Sequence, residues 1–487
     1  MFAFLKTSVK DKYHLTLLFF ILLFIIYFTI VAFARHDNLY SRRLDLGNMD
    51  QTVWNVVHGN GFTLTHSLND KQASRLAAHA DFLLILLAPF YLIWSNPKTL
   101  ILIQTIVLGL GAIPIYWIAF DKLKSKKLAL LFAGAFLLYP PMQRTILFDF
   151  HAVVLATTFL LFAYWFMYKE KYCFFIIFAV LAAITKEEVW LITGLMGLYI
   201  IFFKKRLWVG LITAVISFSI FYLLLWKFIP ALATERQHFA LVYFSEFGDN
   251  QNLIIKNILI NPFSVFSKIF SYDRLFYYYQ LLLPAGLLSL FSPLKLIFSF
   301  PGLLINTLSN NPLMRQLDYQ YNSTICPFVF ISAIDGFLFL QNLSLKLRKR
   351  YQIINVIGIM AFSMTIIYSS YSWGELPIGP FSRFGLFLTP QPEKDLVLSL
   401  SRKIDAKYSV SVTNNIGAHF SQRQFVYNFP INAQKADFVF IKLKDPNSWP
   451  NAEEQEKALT SLLKNVNYEL FAQQGDFYAF RKRGIKS

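Results

Sequence analysis

The sequence predicts an α-helical polytopic membrane protein with a small soluble α/β domain at its C-terminal end. Three observations carry that reading. Hydrophobic residues make up 56% of the 487 residues and charged residues only 15%, with a mean hydropathy of +0.46. A soluble globular chain carries nearer a quarter charged residues. Apolar runs, many of a length suited to a ~30 Å hydrocarbon core, recur along residues 15–368. Lys and Arg gather in alternate connectors between those runs, as they do on the cytoplasmic side of a bilayer. Together these exclude a disordered chain and a single soluble domain. The formal charge of +18 then calls for no nucleic-acid partner. Cys173 and Cys326 lie far apart in apolar runs, which reads as free thiols rather than a disulfide framework.

The first apolar run covers 15–34 and follows Lys6, Lys10 and Lys12. No small-residue cleavage site follows it, so it reads as an uncleaved anchor with a cytoplasmic N-terminus. Further spans are expected at 99–120, 128–139, 152–168, 172–185, 189–203, 207–229, 278–291, 296–308, 323–340 and 353–368. Several hold fewer than ~17 apolar residues, which implies short or tilted helices. The run 82–94 is apolar but only 13 residues long, and reads as an interfacial or re-entrant helix. If it crossed, every later loop would invert and Lys122, Lys124, Lys126 and Lys127 would face outward. With it excluded, the N-terminus and the cytoplasmic loops hold 17 basic residues against three acidic ones, Asp11, Asp121 and Glu170. The outward segment 35–97 holds five of each sign. The result is about eleven spans in a plasma-membrane protein with its C-terminus outside. Residues 1–370 form the transmembrane domain, with two long outward loops at 35–97 and 230–277.

The tail, 371–487, has a different texture: 15 Lys and Arg, 11 Asp and Glu, and short apolar runs. Periodicity predicts a helix over 393–406, strands over 409–413, 424–429 and 437–443, and an amphipathic helix over 452–465. Segments 468–472 and 477–481 flank Gln473-Gln474-Gly475-Asp476 as a hairpin. No phosphate loop, dinucleotide fingerprint, zinc spacing or nucleophile elbow occurs in it.

Polar and ionisable groups at a membrane edge are costly, so each outward cluster is a candidate site. The first is Leu44-Asp45-Leu46-Gly47-Asn48-Met49-Asp50-Gln51. Asp45 or Asp50 could serve as a general base or a metal ligand, the competing reading being a helix cap in a surface loop. Five residues apart on a helix, the two acids point about 140° apart and do not form a close pair. The second is His79-Ala80-Asp81, which reads as substrate-binding or as a helix N-cap. The third is Phe148-Asp149-Phe150-His151, whose Asp and His could ligate a metal. The fourth, Lys186-Glu187-Glu188, places three charges in a minimal connector. Lys186 could pair a phosphate or one of the carboxylates, and Glu187 or Glu188 could be a base or a metal ligand; the bland reading is a snorkelling ion pair. Arg315, Asp318, Tyr319 and Tyr321 form a looser fifth group. The metal reading of Asp149, His151 and Glu188 points to Mg or Mn.

Several of these runs, taken in order, resemble a known family. They are Leu44 to Gln51, Ala78 to Asp81, Leu102 to Gly109, Phe148 to His151, Thr185 to Glu188, Asn310 to Arg315 and Tyr319 to Tyr321. In the tail, Ser411 to Arg423 and Asn428-Phe429-Pro430 follow the same pattern. Over roughly 43–443 the chain resembles prokaryotic polytopic membrane proteins of the domain-of-unknown-function family 2079, similar in layout to GT-C glycosyltransferases. The resemblance implies a large first outward loop with a functional acid soon after span one. It also implies a polyprenyl-phosphate-linked sugar donor in the bilayer. Asp45 and Asp50 are the positions that match the acid. The expected activity is inverting sugar transfer to an envelope acceptor. Lys186, helped by Arg315, would hold the leaving phosphate, and His79, Asp81, Glu187, Tyr319 and Tyr321 would line the substrate site. A flippase for lipid-linked sugars and a non-catalytic envelope scaffold are the alternative classes.

Overall fold

The computed structural model describes residues 11–485 apart from 67, 70, 234–237, 347–350 and 447. Among them, five helices are long and apolar enough to cross a membrane: Lys12–Asp37, Pro97–Leu123, Leu207–Leu232, Cys326–Leu345 and Asn355–Trp373. Shorter apolar helices Ala152–Tyr168, Tyr172–Ala183, Val189–Lys204 and Pro293–Leu308 pack among them. The chain is a multi-pass membrane protein.

Helix Lys12–Asp37 shows why. Its 26 residues rise about 39 Å, more than the hydrocarbon core requires. Asp11 caps it by accepting from the Tyr13 N–H at 3.1 Å. One side, with Leu17, Ile21, Phe24, Phe28 and Val31, is buried in the bundle. The other exposes Phe19, Leu22, Ile26 and Ile30, a large apolar stripe that water would not tolerate and acyl chains would. Helices Val189–Lys204 and Leu207–Leu223 pack backbone to backbone. A Cβ on Gly197 would sit 2.6 Å from the Ala214 nitrogen, and one on Gly210 would sit 2.6 Å from the Gly197 oxygen. Small residues permit that approach where no hydrophobic drive between helices exists.

The segment 278–291 does not form the expected single span. Helix Tyr272–Leu282 gives way to a short 3-10 turn at Leu283–Ala285, then to left-handed backbone at Gly286 and Leu287. Pro284 cannot donate into a continuing helix, and Gly286 accepts the positive φ. At the end of the broken helix the Tyr139 hydroxyl donates to the Leu281 oxygen at 2.7 Å. Helix Leu83–Ile93, 11 residues or about 16 Å, is too short to cross, as its sequence implied.

The two ends of the bundle differ. One end gathers basic connectors, with Lys126 on Asp11, Lys169 on Asp121, and Lys204 and Arg206 on Glu170. The other carries the first loop and the C-terminal domain. Among the described residues that domain is a five-stranded sheet of β3 (Val410–Val412), β4 (Val426–Asn428), β5 (Phe438–Lys442), β6 (Tyr468–Gln474) and β7 (Phe477–Lys482). The hairpin β1 (Thr63–Thr65) and β2 (Gln72–Ser74) lies in the first loop. The sheet order is β4-β3-β5-β7-β6, with β3 parallel to β4 and β5, and β7 antiparallel to β5 and β6. Alternation along β5 sends Phe438 and Phe440 into one apolar cluster and Val439 and Ile441 into another. Helix Lys394–Lys403 covers the first face and Ala452–Leu463 the second.

The domain is bolted to the first loop. Leu39, just beyond the first helix, lies inside its apolar cluster. The Arg43 N–H donates to the Asn414 oxygen at 2.8 Å, and the Leu44 N–H to the Asn414 side chain at 2.9 Å. The Gln51 amide donates to the Arg423 and Gln424 oxygens at 3.1 and 3.0 Å.

Candidate active site

A cavity of about 410 Å³ lies at the end of the bundle that carries the C-terminal domain. Helix ends build it: the start of Ala152–Tyr168, the connector before Val189, the end of Leu207–Leu223 and the end of Phe300–Leu308. Part of its lining is apolar, with Phe221, Leu225, Trp226, Leu304 and Leu308. Ionisable groups also line it: His79, Asp81, His151, His238 and the run Lys186 to Glu188.

The connector is ordered by its own turns. The Val189 and Leu191 N–H groups donate back to the Lys186 and Glu188 oxygens at 3.1 Å each. The Leu83 N–H donates to the Ile184 oxygen at 3.0 Å and ties the first loop to it. Lys186 Nζ reaches Glu188 Oε1 at 2.9 Å and sits 6.0 Å from the Tyr321 ring centre. Burial works against the Lys186 ammonium, but the Glu188 and Glu187 carboxylates outweigh it and raise its pKa. Burial pushes the Tyr321 phenol up to about 12.

Glu187 is held from three sides. His79 Nδ1 lies 2.9 Å and His238 Nε2 3.2 Å from its Oε1, and the Ala80 N–H donates to Oε2 at 3.0 Å. Burial opposes its charge, yet the two imidazoles hold its carboxyl well below the usual range. Burial lowers the His79 pKa, against the pull of the Glu187 carboxylate it bonds. Among the described residues, the side chains that converge as a metal-ligand set are these three, with donor atoms within 4.8 Å of one another.

The expected set of Asp149, His151 and Glu188 does not converge. Asp149 is buried in an ion pair with Arg35 and accepts the Arg42 N–H at 2.9 Å. His151 turns Nε2 toward Asp45 Oδ1 at 3.3 Å, and Glu188 is taken by Lys186. Asp81 lines the cavity, but Arg75 grips its carboxylate with contacts of 2.6 and 3.0 Å. Tyr319 packs edge-on against Phe148, outside the cavity lining. Arg315 does not share the cavity with Lys186. It bonds Asp273 at 3.2 Å and the Ser309 oxygen at 2.8 Å, and borders a separate cavity of about 370 Å³.

The two first-loop acids part company. Asp45 sits in a one-turn π-helix, Arg43–Gly47, with its side chain 26% exposed, outside the cavity lining and linked to it through His151. Asp50 lies in helix Asn48–Val57, fully buried. Tyr91 and Ser421 donate to its carboxylate at 2.6 Å each, and Gln422 at 3.1 Å. Burial pushes the Asp50 carboxyl up to about 6, although those donors pull the other way.

A family model for predicted membrane proteins, DUF2079, matches residues 35–477. The chain belongs to that family. Among solved structures, the DUF2079 chain is similar in fold to ArnT from Cupriavidus metallidurans, crystallised bound to undecaprenyl phosphate. The identity is 10%, the TM-score is 0.50, and the match covers 94% of this chain and 97% of that one. The fold is thus of the GT-C type, as the resemblance implied. No curated protein matches by sequence.

Three residues of this DUF2079 site escaped the sequence. His238 stands alone in the 230–277 loop with no spacing to mark it. Arg35 and Arg42 looked like first-loop charges, and only their proximity to Asp149, 114 and 107 residues away, reveals their work.

Proposed function

We propose that the protein is an integral-membrane glycosyltransferase. It takes a sugar from a polyprenyl-phosphate donor and passes it to an envelope acceptor on the outward side of the plasma membrane. The observation that carries this reading is a single cavity that joins an apolar wall to a charged lysine, beside an accessible carboxylate. The full-length likeness in fold to a protein bound to undecaprenyl phosphate supports it. The apolar residues would take the first isoprene units. Lys186, kept charged by Glu188, would hold the phosphate. Asp45, rather than the enclosed Asp50, would take the proton from the acceptor hydroxyl, with His151 Nε2 orienting it. Attack on the anomeric carbon from the face opposite the phosphate breaks the sugar–phosphate bond, inverts that carbon and releases polyprenyl phosphate. In this reading Tyr321 and Glu187 shape the donor site, and the tail presents or clamps the acceptor.

The flippase reading has less support. It needs a polar path through the bundle, whereas the cavity's charged lining gathers at one end. The test is mass spectrometry of lipid-linked sugars and envelope glycans with and without the gene. Loss of one glycan with build-up of its lipid-linked sugar is expected. Unchanged glycans and lipid pools would overturn the proposal.

A further inference from the structure

We propose that His79, Glu187 and His238 bind one zinc-class divalent ion. The three residues come from three separate segments: the first loop, the connector before Val189, and the 230–277 loop. Their ligand atoms already lie 2.9 and 3.2 Å apart along two edges, with the third edge no longer than 4.8 Å. An ion with bonds of ~2.0–2.1 Å in tetrahedral geometry spaces its ligands about 3.3 Å apart. Two edges therefore fit as they stand, and closing the third needs a modest swing of one ring.

The surroundings favour this ion over Mg or Mn. Two imidazole nitrogens and one carboxylate oxygen suit zinc, whereas magnesium prefers an all-oxygen shell. Glu187 is oriented by the Ala80 N–H on its other oxygen, the kind of outer contact that fixes a metal ligand. Lys186 does not compete, because it is held by Glu188. All three ligands line the cavity, so a fourth coordination position would face into it. Three protein ligands with one open position is the pattern of a zinc site that meets a substrate. Resting on the transferase reading, an oxygen of the donor phosphate is the group that would complete the shell.

The ring nitrogens that face Glu187, His79 Nδ1 and His238 Nε2, must be unprotonated to hold an ion, so any proton on a neutral ring moves to its other nitrogen. On His238 that other nitrogen accepts the Ala240 N–H at 3.1 Å. Binding the ion therefore frees that N–H and loosens the start of the 3-10 turn Phe239–Phe244, which lines the same cavity.

The experiment uses the full chain purified in nanodiscs, stripped with chelator and titrated with zinc chloride, with bound metal read by mass spectrometry. One zinc per chain is expected. His79→Ala and His238→Ala should each weaken binding about 100-fold, while His58→Ala, at an exposed site, should leave it unchanged. Cobalt replacement should give the visible bands of a four-coordinate ion in the parent, which needs no variant to fold. A parent without stoichiometric zinc, a cobalt spectrum of a six-coordinate ion, or undiminished binding in the doubly substituted His79→Ala/His238→Ala chain would overturn the site. Zinc bound without sugar transfer would leave the site standing and remove the transferase reading; transfer without bound zinc would do the reverse.

Discussion

The cavity and the joint beneath the C-terminal domain both bury charge, and they do so in opposite ways. In the joint every buried charge is closed off by protein. Asp50 accepts from Tyr91, Ser421 and Gln422, and Arg43 is enclosed and donates to the Val426 oxygen. In the cavity, Lys186 and Glu187 each have partners but keep a side toward open space. A closed carboxylate holds two parts of a fold together, whereas one beside space can exchange a proton with a ligand. Asp45 and Asp50, five residues apart, differ in the same sense: Asp45 stays partly exposed, outside the cavity lining but in contact with the lining residue His151, whereas Asp50 is fully enclosed.

Breaking a closed charge pair should have the largest effect on stability. Arg35→Ala leaves Asp149 buried without its cation. We expect a loss of about 3–5 kcal/mol, read as a drop in unfolding temperature in detergent. The double change Arg35→Met with Asp149→Leu should recover much of that loss, since no unpaired charge then remains.

The joint gives the next effect, and its sign follows from Asp50. Its folded pKa, about 6, lies above the ordinary 3.8. The folded chain therefore keeps this proton where the unfolded chain has lost it. The resulting stabilisation is fully present below about pH 4 and is lost as pH rises through about 6. At most about 3 kcal/mol is involved. Relative to Asp50→Asn, which cannot ionise, the parent should lose stability between pH 4 and 7. Parallel pH-dependences of unfolding for the two chains would contradict this. At the small end, Lys457→Ala removes an exposed ion pair with Glu453 on helix Ala452–Leu463. It should move stability by no more than about 0.5 kcal/mol.

Much of this was legible in the sequence, for local reasons. The tail strands fall within three residues of their expected bounds because alternation of apolar residues is a local signal. The Lys186 to Glu188 run stood out because three charges in a minimal connector have no cheap explanation. What stayed hidden depends on distance along the chain. The partner that closes off Asp50, Ser421, is 371 residues away. Glu187 finds His79 and His238 108 and 51 residues away. Arg315 looked like an aid to Lys186 but is drawn to Asp273, 42 residues earlier. The span expected at 278–291 failed because hydropathy outvoted Pro284, which removes a donor from the helix, and Gly286, which takes the positive φ that follows.

The central claim is that the open carboxylate reacts and the closed one holds the fold. It is tested most directly by assaying Asp45→Asn and Asp50→Asn side by side. The measurement is transfer from a radiolabelled polyprenyl-phosphate sugar, in membranes normalised for folded protein. Asn keeps the shape of Asp but cannot take a proton. The account predicts a ~10²–10⁴-fold fall for Asp45→Asn and activity within a few-fold of the parent for Asp50→Asn. Normal transfer by Asp45→Asn, with loss of transfer in a folded Asp50→Asn, would contradict it.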